Sequence, residues 1–192
     1  AVDDRLIEAI DFAPTILALA GAPVPPELQG RVFLGDRAAP PREYAFGARD
    51  RCDETVFRLR TVRDARFRYI RNFTPERPFL QANGYKEKQY PVWNLLKELH
   101  AQGKLTPPQA ALCAPTMPAE ELYDLESDPH EVKNLAADPA HRSALERLRA
   151  ALEKWIEETG DQGRVPEPEA LIRQKGLTRP GETKNPNTGY TV

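Results

Sequence analysis

Glu120-Glu121-Leu122-Tyr123-Asp124-Leu125-Glu126-Ser127-Asp128-Pro129-His130-Glu131-Val132-Lys133-Asn134-Leu135 runs from an alternating strand through a polar turn to a helix start. Leu122 and Asp124 face one way from the strand, and Tyr123 and Leu125 the other. Ser127-Asp128-Pro129 then supplies the side-chain and φ restrictions that make a turn. Such a strand needs a sheet to join. Upstream, Thr55 to Val62 alternates Phe57, Leu59 and Thr61 with Arg58 and Arg60. Arg63-Asp64-Ala65 reads as a tight turn into Arg66 to Arg71, where Phe67 and Tyr69 again alternate with arginine, so the two runs form an antiparallel hairpin. Glu43 to Ala48 is a further strand candidate. Downstream, Asp138-Pro139 is a cap followed by a first-turn proline, opening a helix that runs to about Glu158. Its stripe of Leu145, Leu148, Leu152, Trp155 and Ile156 must bury against something, and the sheet is the available surface. The fold class predicted is α+β, a small antiparallel sheet covered by a long C-terminal helix.

The rest of the chain is organised around that unit. Asp3 to Ile10 places Leu6, Ile7 and Ile10 at helical spacing, and Asp11 is positioned to cap a second helical segment, Phe12 to Ala20. Pro14 falls in the first turn, where its missing N–H matters little. Gly21 stops the helix, and Pro23, Pro25 and Pro26 prevent its continuation. From Glu27 to Arg42 the composition is that of a surface connection. Tyr90 to Gln102 carries Val92, Leu95, Leu96 and Leu99 at helical spacing, and Thr106-Pro107 opens a short helix. After Gly160 the chain turns to Pro, Gly, Asn and Lys and lacks the apolar content for a core. The division expected is 1–26, a final helical segment of a larger domain; 27–42, a connection; 43–160, a small α+β domain; and 161–192, an irregular tail.

Charged residues make up 29% of the chain and nearly cancel, for a formal net charge of -2, so nothing pulls it toward nucleic acid or an anionic membrane. Arg58, Arg60, Arg63, Arg66, Arg68 and Arg71, with Phe67 and Tyr69 between them, invite an RNA-surface reading, but alternation puts the aromatics on the face opposite Arg66 and Arg68, as in a half-buried sheet. The mainly apolar stretch Ile7 to Ala22 is broken by Asp11 and Pro14 and is no membrane span. Cys52 and Cys113 are too few for a disulfide scaffold and match no zinc spacing. The sequence has no initiating Met and starts inside a helical pattern, as an excised or processed piece would.

Several segments, in order, resemble the C-terminal third of formylglycine-dependent sulfatases, of the alkaline phosphatase-like superfamily. Asp11-Phe12-Ala13-Pro14-Thr15-Ile16-Leu17-Ala18-Leu19-Ala20-Gly21 is similar to the helix that closes the family's α/β catalytic domain. Leu28-Gln29-Gly30 follows at the usual interval. Arg60-Thr61-Val62-Arg63-Asp64 and Arg66-Phe67-Arg68-Tyr69-Ile70-Arg71-Asn72-Phe73 resemble the hairpin of the C-terminal subdomain, and Glu121 to Leu135 the closing signature. Ala48-Arg49-Asp50-Arg51-Cys52-Asp53-Glu54 looks most like bacterial heparan N-sulfatase-like and arylsulfatase-like members. The resemblance implies hydrolysis of sulfate esters or sulfamates, with sulfated glycans among the substrates, in which a formylglycine hydrate attacks sulfur while a calcium ion and basic groups stabilise the sulfuryl oxygens. It implies a partner too, the N-terminal catalytic domain, and weakly a periplasmic or extracellular location.

The formylglycine and calcium residues are absent from this sequence. Cys113-Ala114-Pro115-Thr116-Met117 is the nearest match to the precursor motif C-x-P-S-R, but Thr116 and Met117 replace its serine and arginine. Asp3-Asp4 reads as helix capping rather than a calcium pair. His100, His130 and His141 are too dispersed for a metal site, with His130 decorating a turn. Catalytic and metal residues are therefore none. The binding candidates are Arg49 and Arg51, in a charged run after a strand end, where their planar donors suit sulfate or carboxylate oxygens; a solvated, mutually paired loop is the alternative. Alone the chain is expected to be inactive and prone to aggregate or lose order along Leu6 to Leu19. A second function class stays open, a non-catalytic interaction or glycan-binding module built from such a subdomain.

Overall fold

The computed structural model describes residues 3–52 and 55–168. The far end of the tail expected over 161–192 thus lies outside the described residues. Among the described residues there are four strands, β1 (Ala45–Cys52), β2 (Thr55–Arg63), β3 (Phe67–Asn72) and β4 (Glu120–Asp124), in one sheet of order β1-β2-β3-β4. The pairing is antiparallel: Asp64 N donates to Phe67 O at the hairpin turn and Phe73 N to Arg58 O at its other end, while Asn72 N and Leu125 N bond Ala119 O and Arg66 O across β3 and β4. Among the described residues five α-helices complete the α+β fold: α1 (Phe12–Leu19), α2 (Gly84–Gln89), α3 (Pro91–Ala101), α4 (Pro107–Ala111) and α5 (Arg142–Thr159).

The described residues divide into two compact units, 3–47 with 61–69 and 122–154, and 48–60 with 70–121 and 155–168. In the first, Val62, Tyr69, Leu122, Leu145, Leu148 and Leu152 are buried. The leucines are the stripe expected on α5, and Asp138 caps the 3-10 turn before it by accepting from Ala140 N at 2.9 Å. Arg147 holds α5 to the hairpin turn through Asp64 at 2.6 Å. The run after β4 is held by its own polar side chains. Asp128 accepts from Val132 N and Lys133 N, both at 2.8 Å, and Asn134 accepts from Leu122 N at 3.0 Å, while Leu135 N bonds back to Leu122 O. These bonds satisfy the backbone of a tight loop and fold it back on the strand.

In the second unit, Phe57 packs with Phe79 and Phe79 with Trp93, ring centroids 6.0 and 6.5 Å apart. Asn83 caps α2 through Lys86 N and also donates to the buried Thr55 hydroxyl at 2.8 Å. Thr106 and Gln109 form the capping box of α4.

Three local expectations are overturned. Residues 3–8 form no helix, and Asp3 pairs with Arg5 at the surface instead of capping one. A helix this short is marginal by itself, and tertiary bonds outweigh it. Glu8 accepts from Phe46 N at 2.7 Å and pairs with Arg42 at 3.1 Å. Asp11 makes no capping bond to α1. The helix read over 90–102 is α3; within its apolar set Leu96 and Leu99 are half-buried, Val92 and Leu95 are 56% and 48% exposed, and Trp93 is buried. The indole has more area to bury than any of these, and Phe79 and Lys86 enclose it. Finally, β1 continues to Cys52, so Arg49, Asp50 and Arg51 lie within a strand and not in a loop beyond one.

Candidate functional site

β2 builds the site. Burial along it moves from Thr55 and Phe57 to Arg60 and Val62, changing from odd to even positions. Arg60 is only 2% exposed, and a guanidinium there needs carboxylate partners. Its Nη1 donates to Asp50 Oδ1 and its Nε to Asp161 Oδ1, both at 2.9 Å. Burial disfavours its charge, but the two carboxylates more than offset that and hold its pKa above the ordinary value. Burial likewise pushes Asp161 up, while Arg60 and the Gly163 N–H pull it further down, for a net lowering. Gly163 packs flat on the Arg60 guanidinium, where a Cβ would collide with it. Arg60 therefore fastens the turn at Asp161-Gln162-Gly163 in place, and Arg51 fastens the next few residues through an ion pair with Glu167.

Within the second unit these contacts wall an open groove of about 1070 Å³, whose lining includes Arg51, Arg58, Arg60, Thr74, Glu76 and Arg77. Two of its arginines are not committed to tight ion pairs. Arg58 donates to the carbonyls of Arg164 and Phe73 at 3.1 and 3.5 Å. Arg77 lies 4.0 Å from Glu76. The described lining is dominated by guanidinium and carboxylate groups, which can bind anionic oxygens and hydroxyls.

Of the two arginines singled out in the sequence, only Arg51 lines the groove; Arg49 stacks its guanidinium 4.1 Å from the Phe57 ring centroid. Arg58 and Arg77 were not singled out as binding residues. The alternation of β2 was a signal for Arg58, whereas nothing local marks Arg77, Asp161 or Gly163.

The first unit holds a second charged cluster. Asp11, 1% exposed, accepts from Arg42 Nε at 2.9 Å, Arg31 N at 2.7 Å and Glu8 N at 2.9 Å. Burial raises its pKa, and Arg42 with the two backbone donors more than reverses that, leaving it below the usual value. Every contact here is internal and ties α1 to the segment after it.

Neither group implied by the sulfatase resemblance fits the residues present. Among the described residues no three His, Cys, Asp or Glu side chains are grouped so as to hold a metal ion. Cys113 is half-buried, with its Sγ 3.8 Å from Leu96 O and no basic side chain placed on it. His141 pairs with Asp138 at 3.2 Å and meets the Phe67 ring, while His100 and His130 lie exposed. No described helix is long and apolar enough to cross a membrane.

With a four-stranded antiparallel sheet and a long C-terminal helix, the fold is that of a small α+β subdomain. Solved structures with this arrangement include a 2-O GAG sulfatase, matched with a TM-score of 0.58 at 24% identity over 93% of this chain and 31% of that one. The sequence is 40% identical over 169 residues to an Ulvan-active sulfatase of Formosa agariphila, covering 88% of this chain and 28% of the relative. It is 30% identical over 187 residues to human N-sulphoglucosamine sulphohydrolase, covering 91% of this chain and 36% of the relative. No family model matches the chain. The chain is thus similar to sulfatases over most of its own length, and it spans about three tenths of the length of these curated relatives, consistent with a C-terminal portion of such a protein.

Proposed function

We propose that this chain is the C-terminal part of an enzyme that hydrolyses sulfate esters or sulfamates, acting on sulfated glycans. The identity with the Ulvan-active sulfatase, sustained over 169 residues, carries this reading. The names of the relatives, which include ulvan, sulphoglucosamine and a glycosaminoglycan, support a sulfated saccharide as the substrate class. In this reading formylglycine and calcium belong to a preceding catalytic domain, and the present chain supplies a rigid subdomain rather than reacting groups. Arg51 lines the groove at which substrate approaches, and Arg49 supports it from the same strand by stacking on Phe57. The boundaries 1–26, 27–42 and 43–160 keep their proposed meaning, the first being the last helical segment of the catalytic domain.

The exposed apolar side chains of that segment support the same proposal. Ile10, Phe12, Ile16 and Leu19 are all exposed, a surface that a larger domain would cover.

The test is sulfate release by the full-length gene product from sulfated oligosaccharides, alongside this chain alone. Release by the full-length protein and none by the chain is the expected result. Alanine at Arg49 and Arg51 should raise KM in the full-length enzyme. The second reading is a non-catalytic glycan-binding module, favoured by the groove's lying within this chain. Saturable glycan binding by a full-length protein that releases no sulfate would replace the first reading with the second.

A further inference from the structure

We propose that the groove of the second unit is a binding site for an acidic oligosaccharide, with Arg58 and Arg77 contacting its anionic groups and Asp50 and Glu76 accepting from its hydroxyls. The saccharide class rests on the preceding reading; the division of labour within the groove rests on geometry alone.

Its four arginines fall into two kinds. Arg51 and Arg60 are consumed by the wall: each is paired with a carboxylate from the segment 161–167. Removing either pair would undo the groove itself. Arg58 also touches that segment, through the Arg164 carbonyl at 3.1 Å, but neither it nor Arg77 makes a tight ion pair. A guanidinium carries five N–H donors in a plane, and the contacts of Arg58 to two carbonyls leave most of that fork unused. Arg77 is half-exposed, at the outer limit of ion pairing with its sequence neighbour. Both suit a sulfate or carboxylate oxygen pair.

The carboxylates decide what kind of anion. Asp50 and Glu76 side chains are 63% and 69% exposed in the same lining. They would oppose a bare inorganic anion, since like charges at this range are repelled. A ligand whose acidic groups are spaced among hydroxyls uses both signs at once. The groove is also too large for a single inorganic ion, at about 1070 Å³, and comparable to the roughly 300–1,000 Å³ of sites for organic ligands of several rings. Val56, Val165 and Pro166 complete the lining with apolar surface against which ring C–H groups can lie.

The experiment is calorimetric titration of the full chain with four probes: a heparin hexasaccharide, an oligogalacturonate of the same length, a neutral cello-oligosaccharide and inorganic sulfate. Binding of one or both acidic oligosaccharides, weakening with salt, and no measurable binding of the other two is expected, and the preferred acidic probe identifies sulfate or carboxylate as the anion. Arg77→Ala should weaken binding about tenfold, the loss typical of one charge-assisted hydrogen bond. Arg58→Ala should do the same and Arg58→Lys should recover part of it. Glu76→Ala should weaken binding too, because a hydroxyl acceptor is lost. Arg142→Ala, on α5 and outside the lining, should bind as wild type. Arg77 is exposed and Glu76 more so, so neither variant depends on refolding a core. Failure of both acidic probes to bind, unchanged affinity in Arg77→Ala and Arg58→Ala, or tighter binding in Glu76→Ala would overturn the proposal. Sulfate release by the full-length enzyme with no effect of these variants would overturn the groove and leave the enzyme reading standing; binding without any release would do the reverse.

Discussion

Asp11→Ala offers the sharpest test of how the first unit is held. The carboxylate is 1% exposed and takes two bonds from Arg42 and one each from the backbone of Arg31 and Glu8. Its removal leaves two part-buried backbone donors unpaired and a largely buried guanidinium with Glu8 as its remaining partner. Breaking one side of a buried ion pair costs about 3–5 kcal/mol, and for a chain of this size each kcal/mol lowers Tm by about 2–4 °C, so a fall of about 10 °C is expected. Asp11→Asn keeps an acceptor for the backbone and should fall between the two. Urea and thermal unfolding at neutral pH, with folding checked by near-ultraviolet circular dichroism, read the differences directly. The folded-state pKa of Asp11 is lowered, so the stability it contributes is fully present above the unfolded value of 3.8 and is lost as pH falls through the lower folded value. The wild-type advantage over Asp11→Asn must therefore shrink only in acid. A loss below about 1 kcal/mol in Asp11→Ala, when a broken buried pair should cost several times that, would refute the view that this cluster locks α1 to the segment after it.

Three further outcomes are expected. Asp124, hydrogen-bonded by Arg66 against the opposing effect of its burial, has its pKa lowered to about 2; a carboxyl NMR titration should find a midpoint there, moved back toward 3.8 in Arg66→Ala, and an unshifted midpoint would contradict the pairing. Because the shift is downward, the stability from this pair is present above the ordinary range and lost as pH falls toward 2. Trp93→Ala should cost about 3–5 kcal/mol in urea denaturation while Leu95→Ala costs under about 0.5, and equal losses would mean that α3 is turned the other way. Ile16, 63% exposed on α1, is proposed to be covered by the catalytic domain; Ile16→Lys should make this chain alone more soluble and lower the yield of the folded full-length enzyme, and a full-length enzyme indifferent to the change would count against that cover.

Legibility followed the range of the interactions. The hairpin around Arg63-Asp64-Ala65 and the long helix after Asp138-Pro139 could be read directly, because a period of two, a period of 3.6 and their caps are all local signals. The stripe Leu145, Leu148, Leu152 and Ile156 is buried as read. Residues 3–8 could not be read this way. They show apolar residues at helical spacing, but Glu8 reaches Phe46 and Arg42 and the segment stays out of a helix, whereas the same spacing over 90–102 does form α3. The candidate site divides similarly. Arg51 was visible as a donor in a charged run, whereas its partner Glu167 and the Arg60 clamp on Asp161 join residues about a hundred positions apart.

Sequence alone determined the α+β class, the antiparallel hairpin, the polar loop that closes β4 and the likeness to sulfatases, because each is written in local spacing or in an ordered series of segments. Tertiary structure alone decided which charges are locked in ion pairs and which are not. In β2, Arg58 and Arg60 differ by two positions and read identically in an alternating pattern. Arg60 is buried because two carboxylates and the bare backbone of Gly163 meet it there, and Arg58 remains open to the groove. Burial of a charge depends on which partners the fold delivers to it, and that is a property of no segment by itself.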